Sequence, residues 1–277
     1  MTISHRIIQT GKTRSLSSVD RAVAANLRLL HPDWEYIYFD DNEVRNFVIT
    51  EFPEYRTVFE GFPYPIQRVD FFRYLAVYRY GGFYFDLDVL LAESLTRLLD
   101  DECVFPFEEL TLSRFLRERH GMDWEIGNYA FGATPGNPFL EAVIENCVKA
   151  QCDPNWVKPM MAGIPRVFGS EFHVLNTTGP GLLSRTYAED ADLAKSVTVL
   201  FPENVCDTTT WHQFGRFGVH LMNGSWRPKA GPVYRRLAGW WESRMQRRLL
   251  KQSMRFGPTR DDRRTVGKQE LADEVIG

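Results

Sequence analysis

The sequence has no long apolar run and few cysteines. No hydrophobic segment in its 277 residues approaches the ~18 residues that a membrane-spanning helix needs, and no repeat period appears. The four cysteines form no C-x-x-C pair and are too sparse for a disulfide framework, so we expect reduced core thiols. The first residues also have no apolar core of the kind found in signal peptides. From these absences we expect a cytoplasmic protein.

The composition is that of a globular chain. With 44% hydrophobic and 25% charged residues, and ordinary numbers of glycine (20) and proline (15), it falls outside the disordered and fibrous classes. A domain of this length hides roughly 75% of the surface of its unfolded chain. A substantial core is therefore expected.

The net charge of −3 hides an uneven distribution. Residues 229–268 carry twelve Lys/Arg against three Asp/Glu, whereas residues 1–228 carry twenty-one against thirty. The basic segment could contact anionic lipid or nucleic acid, or could be only a solvated helix face. The acidic body has no zinc-finger or RNA-binding signature, so we expect no nucleic-acid partner. Apolar residues such as Trp240 and Leu249 among the arginines favour peripheral contact with the inner face of the membrane.

Strand-like and helix-like segments alternate along the chain. β-branched or aromatic runs predict strands, and apolar residues at three- and four-residue spacing predict helices, the first of them capped by Ser18. This alternation predicts an α/β fold with helices covering a mostly parallel sheet, in one compact domain over residues 1–255 followed by a basic tail, 256–277. The predicted strands are 5–9, 34–39, 83–91, 129–133, 198–201 and 219–222, and the predicted helices are 18–30, 66–80, 137–150 and 233–254.

Two carboxylates lie close together in the predicted strand 83–91. Because side chains alternate along a strand, Asp86 and Asp88 are predicted to share one face of it with Tyr84. Neighbouring negative charges raise one another's pKa, and burial adds a desolvation cost. A bound Mg²⁺ or Mn²⁺ would offset that cost, because both ions prefer oxygen ligands such as these carboxylates. Taken alone, the aspartates could equally cap a strand end beside a surface loop.

The helix just upstream carries a second charged pair. Asp70 and Arg73 are three residues apart, which places them on one helical face, and Gly81-Gly82 then leads the chain into the strand with the two aspartates. On spacing alone, Asp70 and Arg73 could be an ordinary surface ion pair.

The whole stretch from Arg68 to Val89 resembles the DXD-containing sugar-binding region of glycosyltransferase family 32. That family includes yeast-type initiating α-mannosyltransferases and bacterial polysaccharide enzymes, and is similar to the clostridial glucosylating toxins. The resemblance rests on Asp-x-x-Arg-Tyr-Leu, starting at Asp70, followed by Tyr-Gly-Gly-x-Tyr-x-Asp-x-Asp, starting at Tyr80. The spacing of the two motifs makes the resemblance specific.

Four further segments resemble the same family, so that the likeness runs from residue 3 to about 226. Three of them depart from the family pattern by one or two residues: Ser4 and Gly11 stand in place of Pro and Trp, Asn137 in place of His, and Leu221 in place of the second His. The fourth, Thr178-Gly179-Pro180, matches the family pattern. The segments are ISHRIIQTGKT (3–13), NYAFGATPGNPFL (128–140), TGPG (178–181) and HLMNGSW (220–226).

The resemblance implies a GT-A fold, a single Rossmann-like nucleotide-binding domain with a mixed sheet flanked by helices and a DXD core at residues 66–91. It implies that Asp86 and Asp88 hold Mn²⁺ or Mg²⁺ on the diphosphate of a sugar nucleotide, with His220 as the third ligand. Without the two aspartates, His220 would be read as an ordinary core histidine.

The resemblance also implies a UDP- or GDP-sugar donor, a glycan, lipid-linked or protein acceptor, and retention of anomeric configuration. No catalytic nucleophile or base is assigned; Glu108, Glu109 and Asp123 are carboxylates of the middle stretch, and none of them stands out. The residues expected to bind the nucleotide are Gln9, Thr10, Ser225 and Trp226, and those expected to bind the donor sugar are Asp70, Arg73 and Asp86.

Two other functional classes fit parts of the sequence. Residues 85–90 approach the start of a haloacid-dehalogenase-type phosphatase, in which Asp86 would be the nucleophile and Asp88 the general acid. However, Leu90 stands where that motif has Thr or Val, and a β-α-β unit precedes a motif that normally lies on the first strand. The second alternative is a non-catalytic module that binds sugar nucleotides or glycans. Metal-dependent turnover would separate it from an enzyme.

Overall fold

The computed structural model describes residues 2–202, 204–222 and 232–255. Its strands are β1 (Arg6–Thr10), β2 (Glu35–Phe39), β3 (Gly82–Phe85), β4 (Val89–Leu91), β5 (Cys103–Leu110), β6 (Trp124–Ile126), β7 (Ala130–Ala133), β8 (Val197–Leu200), β9 (Gln213–Phe214) and β10 (Gly218–His220). Its α-helices are α1 (Ser18–Leu30), α2 (Asp41–Glu51), α3 (Arg56–Gly61), α4 (Pro65–Tyr80), α5 (Arg114–His120), α6 (Pro138–Cys152), α7 (Pro154–Val157), α8 (Gly169–Thr177), α9 (Pro180–Glu189), α10 (Ala191–Ala194) and α11 (Pro232–Arg255).

A central mixed sheet organises the fold. Its strand order is β2-β1-β3-β7-β5-β6, with β8 paired to β5, while β4, β10 and β9 form a separate three-stranded sheet. The β1–β2, β1–β3 and β5–β8 pairs are parallel, whereas β3–β7, β5–β7 and β5–β6 are antiparallel. The predicted α/β class with a mixed sheet flanked by helices is confirmed. Parallel pairs do not predominate, because β7 inserts antiparallel between β3 and β5.

The first β-α-β unit forms as predicted, with the helix cap one residue earlier. Ser17, not Ser18, caps α1: the Ser17 hydroxyl accepts a hydrogen bond from the Asp20 N–H at 3.1 Å, and Asp20 accepts one from the Ser17 N–H at 3.3 Å. This reciprocal capping box satisfies two of the helix's free N–H groups.

The predicted strand 83–91 is wrong as one continuous element. β3 ends at Phe85 and β4 begins at Val89 in the other sheet, with a turn between them in which the Val89 N–H donates to the Asp86 carbonyl at 3.2 Å. Asp86 and Asp88 therefore lie in the connection between two sheets and not on one face of a strand. The preceding glycine pair does end α4, since Gly81 and Gly82 have φ values of 65° and 102°.

The middle of the chain holds an element that the sequence pattern did not reveal. β5 pairs with β6, β7 and β8 near the centre of the sheet, although residues 103–110 include Pro106 and the adjacent Glu108 and Glu109. A proline and two charges break the alternation by which strands are predicted. The helices α2, α3, α5 and α7–α10 were likewise not predicted.

The basic C-terminal helix has both a buried contact and exposed side chains among those that the structure describes. Leu249 of α11 is buried against the main apolar cluster, and the Gln246 side chain donates to Glu109 at 3.0 Å. Trp240, by contrast, is 58% exposed. Within the parts of the chain that the structure describes, the helices are too short or too polar to cross a bilayer.

Burial of His31 makes the stability of the protein depend on pH. One ring nitrogen, Nδ1, lies 2.8 Å from the Leu27 carbonyl, while Nε2 accepts a hydrogen bond from the Leu95 N–H at 2.9 Å. Protonation of Nε2 would break the second bond, and burial lowers the pKa of His31, an effect that the Leu27 hydrogen bond partly opposes. As the pH falls, the unfolded chain, with an ordinary histidine pKa of about 6.5, binds the proton before the folded protein does. The stability that neutral His31 contributes is therefore lost below that pH.

We therefore expect His31→Gln to unfold at lower urea concentration than wild type at about pH 8, and to lose less stability than wild type on going to about pH 5.5. Urea denaturation at the two pH values measures the difference. His5→Gln, at an exposed ring, is the control. An equal pH dependence in wild type and His31→Gln would contradict the assignment.

Candidate active site

A buried arginine joins three segments at the end of the central sheet. The Arg73 guanidinium lies 3.1 Å from Asp70 Oδ1 and 3.3 Å from Asp86 Oδ1, and it donates to the Asn128 carbonyl at 2.8 Å. The ring of Tyr84 lies beneath it, 4.7 Å from the guanidinium carbon. Only 3% of the Arg73 side chain is exposed, so the surface ion pair considered for Asp70 and Arg73 is not what forms. They are part of a buried network.

Asp70 is hydrogen-bonded through both oxygens. Oδ1 accepts from the Asn128 side chain at 3.2 Å, and Oδ2 accepts from the Thr178 hydroxyl at 2.9 Å. Burial raises the pKa of Asp70 to about 6, while the charge of Arg73 and these hydrogen bonds oppose the rise. Asp70 thus ties α4 to two distant loops, and its partners are Arg73, Asn128 and Thr178 and not solvent.

Asp86 is held from two sides. The Tyr84 hydroxyl donates to Asp86 Oδ1 at 2.8 Å, and the Gln9 side chain donates to the Asp86 backbone carbonyl at 3.3 Å. Gln9 is itself positioned by the Tyr36 hydroxyl, which donates to it at 2.9 Å. Burial raises the pKa of Asp86, and Arg73 is the strongest influence in the opposite direction. The first aspartate of the motif is therefore anchored before any ligand arrives.

Asp88 faces a histidine from the second sheet. Antiparallel pairing of β10 with β4 places His220 opposite Val89, and His220 Nε2 lies 3.2 Å from Asp88 Oδ1. The imidazole stacks on the ring of Tyr129, with centroids 4.3 Å apart and an angle of 20° between the planes. The Leu221 N–H donates to the Asp88 carbonyl at 2.8 Å, which closes the turn around the site.

These residues fit a divalent cation. Asp86, Asp88 and His220 each offer one ligand atom, and the three atoms lie within 4.8 Å of one another. Two carboxylates and an imidazole suit Mn²⁺ or Mg²⁺ when water and phosphate oxygens complete the coordination. The three side chains are only partly buried, so a diphosphate can reach the same point.

The structure brings most of the predicted site residues together. Asp70, Arg73 and Asp86 form one network, and Gln9 joins it through the backbone of the DXD turn. Gln9 and Thr10 lie at the end of β1, and both are buried. Ser225 and Trp226, predicted to contact the departing phosphate, lie outside the described residues, as does the tail 256–277.

Sequence reasoning did not assign a role to four residues of this site. Asn128 and Thr178 stand in segments singled out by the family resemblance, and that position was the available signal. Tyr84 and Tyr129 also lie in motif segments, but they were given no role because a tyrosine in an aromatic-rich sequence is ordinarily a core residue.

Residues 19–105 match a family model described as "Glycosyltransferase sugar-binding region containing DXD motif". The region starts in α1 and ends in β5, so it contains the Asp70–Arg73 pair and the DXD turn. The family resemblance seen in the sequence is confirmed over this region.

Two curated relatives are fungal proteins. Inositol phosphoceramide mannosyltransferase 3 of Schizosaccharomyces pombe is 28% identical over 240 residues, covering 79% of this chain and 59% of that protein. Mannosyl phosphorylinositol ceramide synthase SUR1 of Saccharomyces cerevisiae is 30% identical over 178 residues, covering 64% of this chain and 40% of that protein. The chain thus spans less than two thirds of the length of either relative.

Solved structures give a more distant likeness. The PaToxG glycosyltransferase has a TM-score of 0.46 and 14% identity over 70% of this chain and 74% of its own. The UDP-bound glycosyltransferase domain of the YGT toxin has a TM-score of 0.43 and 12% identity over 72% and 79% of the two chains.

Replacing Arg73 tests the buried network. Arg73→Ala leaves Asp70 and Asp86 without their shared countercharge, and breaking a buried ion pair in this way costs about 3–5 kcal/mol. Arg73→Lys should restore only part of the loss, because one ammonium cannot span two carboxylates and a carbonyl. Arg79→Ala is the matched control on the same helix: it removes an exposed pair with Glu51, worth about 0–1 kcal/mol. Equal losses for Arg73→Ala and Arg79→Ala in chemical denaturation would refute the network's importance.

Proposed function

We propose, on the premise that residues 19–105 form a glycosyltransferase sugar-binding region, that this protein is a metal-dependent retaining glycosyltransferase. It transfers a hexose from a nucleoside diphosphate sugar to a polysaccharide, lipid-linked or protein acceptor. The single observation that carries the proposal is the Asp86–Asp88–His220 group, which is fixed beside the buried Arg73.

The reaction creates negative charge that the site can meet. Cleavage of the bond between anomeric carbon and phosphate leaves a nucleoside diphosphate, and a bound Mn²⁺ or Mg²⁺ supplies Lewis-acid stabilisation of that developing charge. Asp88 and His220 would be direct ligands, since their side chains face each other at 3.2 Å. Asp86 has one oxygen engaged by Arg73 and Tyr84, which suits a contact through water or with the donor ribose and sugar.

The buried network around Arg73 gives Asp86 and Asp88 different roles. Arg73 partly neutralises Asp86, so that the charge available for a cation is concentrated toward Asp88. Because Arg73 is held by Asp70 and the Asn128 carbonyl, this charge distribution needs no reorganisation during the reaction. We keep Asp70 and Arg73 as donor-sugar residues and Gln9, Thr10, Ser225 and Trp226 as nucleotide residues within the proposal, with no catalytic base assigned.

The relatives narrow the substrate classes that we propose first. Both named fungal proteins transfer mannosyl groups, and their names place the acceptor among inositol-phosphate ceramides. We therefore put a mannosyl donor and a lipid-linked acceptor before other hexoses and acceptors.

A lipid-linked acceptor would place the enzyme at a membrane surface, and we propose α11 as the contact. Arg244, Arg247 and Arg248 are exposed on this helix together with Trp240, while Leu249 attaches it to the body. A cationic face with an exposed indole fits an anionic bilayer surface. We propose a cytoplasmic location with peripheral contact at the inner face of the membrane.

The two other classes have less support. For a phosphatase, Asp86 would have to act as a nucleophile, yet its Oδ1 is already hydrogen-bonded by Tyr84 and paired with Arg73. A non-catalytic module would bind the donor but release no nucleoside diphosphate from it.

Asp88→Asn should reduce metal-dependent donor hydrolysis at least about a hundredfold, because it removes the charge opposite His220. The measurement is release of nucleoside diphosphate from UDP-glucose, UDP-galactose, UDP-N-acetylglucosamine and GDP-mannose, each with Mn²⁺ and with chelator. The donor that is cleaved with Mn²⁺ but not with chelator identifies the nucleotide.

Asp41→Asn, at a carboxylate in the first turn of α2, is the control and should retain wild-type turnover. Wild-type rates in Asp88→Asn would refute the metal assignment. Stabilisation of the wild type by a nucleotide sugar without turnover would favour the non-catalytic module.

Removing charge from α11 should weaken membrane binding. The triple variant Trp240→Ser, Arg244→Gln, Arg247→Gln loses an interfacial indole and two cations worth about 1 kcal/mol each, so we expect at least about a tenfold lower partition onto anionic vesicles. Arg45→Gln with Arg56→Gln, at two exposed arginines elsewhere, is the control. Sedimentation with phosphatidylserine-containing vesicles measures both, and equal partitioning of wild type and the triple variant would exclude α11 as the contact.

A further inference from the structure

A cluster of buried polar atoms lies behind His220. Among the described residues, the buried side-chain atoms that make no hydrogen bond include Glu108 Oε2, Tyr129 Oη and His220 Nδ1. Buried polar groups in native proteins are almost always hydrogen-bonded, because an unsatisfied one costs about 1–3 kcal/mol. His220 stacks on Tyr129, and Glu108 lies beside Tyr129, so these three unsatisfied atoms belong to neighbouring side chains.

A β-bulge brings Glu108 to this place. In the β5–β6 pair, Phe107 lies opposite Ile126 and Leu110 lies opposite Trp124, so three steps along β5 match two steps along β6. The extra residue falls at Glu108 and Glu109, and a bulge of this kind redirects side chains out of the regular alternation. Glu109 meets Gln246 of α11 at 3.0 Å, whereas Glu108 approaches His212, with 3.4 Å between its Oε1 and the ring Nδ1.

Tyr129 connects Glu108 with His220. The imidazole of His220 stacks on the Tyr129 ring. Two residues before Tyr129, a Cβ at Gly127 would collide with both the Glu108 carboxylate and the Tyr129 ring, so these two side chains approach the same point. The Tyr129 hydroxyl can donate a hydrogen bond, and the Glu108 carboxylate can accept one. The hydroxyl and the carboxylate are therefore a matched donor and acceptor.

The chemistry of a histidine ligand explains what the cluster does. A ligating imidazole nitrogen must present a lone pair, so when Nε2 faces the aspartates the ring proton sits on Nδ1. Metal-binding histidines almost always donate that other N–H to a carboxylate, carbonyl or water, which fixes the orientation of the ring. Asp88 lies on the Nε2 side, with its Oδ1 3.2 Å from that nitrogen, whereas Glu108 lies beside the Tyr129 ring on which the imidazole stacks.

We propose that Glu108 and Tyr129 are positioning residues for His220: Glu108 is the acceptor, directly or across one water molecule, for the His220 Nδ1–H and the Tyr129 hydroxyl. This inference rests on the proposed metal site, and it adds residues from β5 and from the loop before β7 to it. Neither touches the donor or the cation. They act through the orientation of one imidazole.

The test is Mn²⁺ affinity, measured by titration of the purified protein without substrate. Loss of such an outer contact costs about 10–100-fold in metal affinity, so Glu108→Gln should bind Mn²⁺ at least about tenfold more weakly than wild type. Tyr129→Phe keeps the stacked ring and loses one hydrogen bond, for an expected weakening of about 2- to 10-fold. Glu109→Gln, the other glutamate of the same bulge, should bind like wild type.

A double-mutant cycle separates positioning from a general effect on structure. If Glu108 acts through His220, then Glu108→Gln should add no further loss of affinity in a His220→Gln background. An equal additional loss in that background would overturn the proposal, as would unchanged Mn²⁺ affinity in both Glu108→Gln and Tyr129→Phe. If Glu108→Gln does not fold, Tyr129→Phe with the same cycle decides.

Mn²⁺ binding distinguishes failure of the proposed metal site from failure of the positioning role. Wild-type protein that binds no Mn²⁺ would overturn the proposed metal site and the positioning role together. Wild-type binding that Asp88→Asn abolishes but Glu108→Gln and Tyr129→Phe leave intact would overturn the positioning role alone.

Discussion

The charge of Arg73 is the constraint on which the site depends. A guanidinium that is 3% exposed must be neutralised and hydrogen-bonded within the protein, since an isolated buried charge is prohibitively costly. Asp70, Asp86 and the Asn128 carbonyl meet this need, and each comes from a different part of the chain. Folding of the core and assembly of the site are therefore the same event.

The position of the DXD turn follows from this constraint. Arg73 and Gln9 hold Asp86 just after the end of β3 in the central sheet. Asp88 comes just before β4, the first strand of the small sheet. Pairing of β4 with β10 then delivers His220 to the same point. One aspartate is thus fixed by the large sheet and the other is matched to a histidine by the small sheet, which gives two carboxylates of the same motif different environments.

The sequence located the candidate site residues better than it located the strands around them. Asp70, Arg73, Asp86, Asp88 and His220 were all identified from motif spacing together with the family resemblance, and the structure brings them together. The continuous strand 83–91 was wrong, because alternation of apolar residues does not reveal a change of hydrogen-bonding partner after Phe85. β5 was missed because Pro106 and the two glutamates break its pattern, and the same glutamates form the bulge that aims Glu108 at the site.

What the sequence determined by itself is local: helix α4 and its glycine end, the first β-α-β unit, and the residue types and spacing of the DXD region. These depend on contacts within a few turns of the chain. The tertiary structure alone decided that Asp70 bonds Thr178 across 108 residues, that Asp88 faces His220, and that the Tyr129 ring stacks on His220. Those contacts join residues far apart in sequence, and they are selected by the need to satisfy buried charges and hydrogen-bonding groups, which no local pattern records.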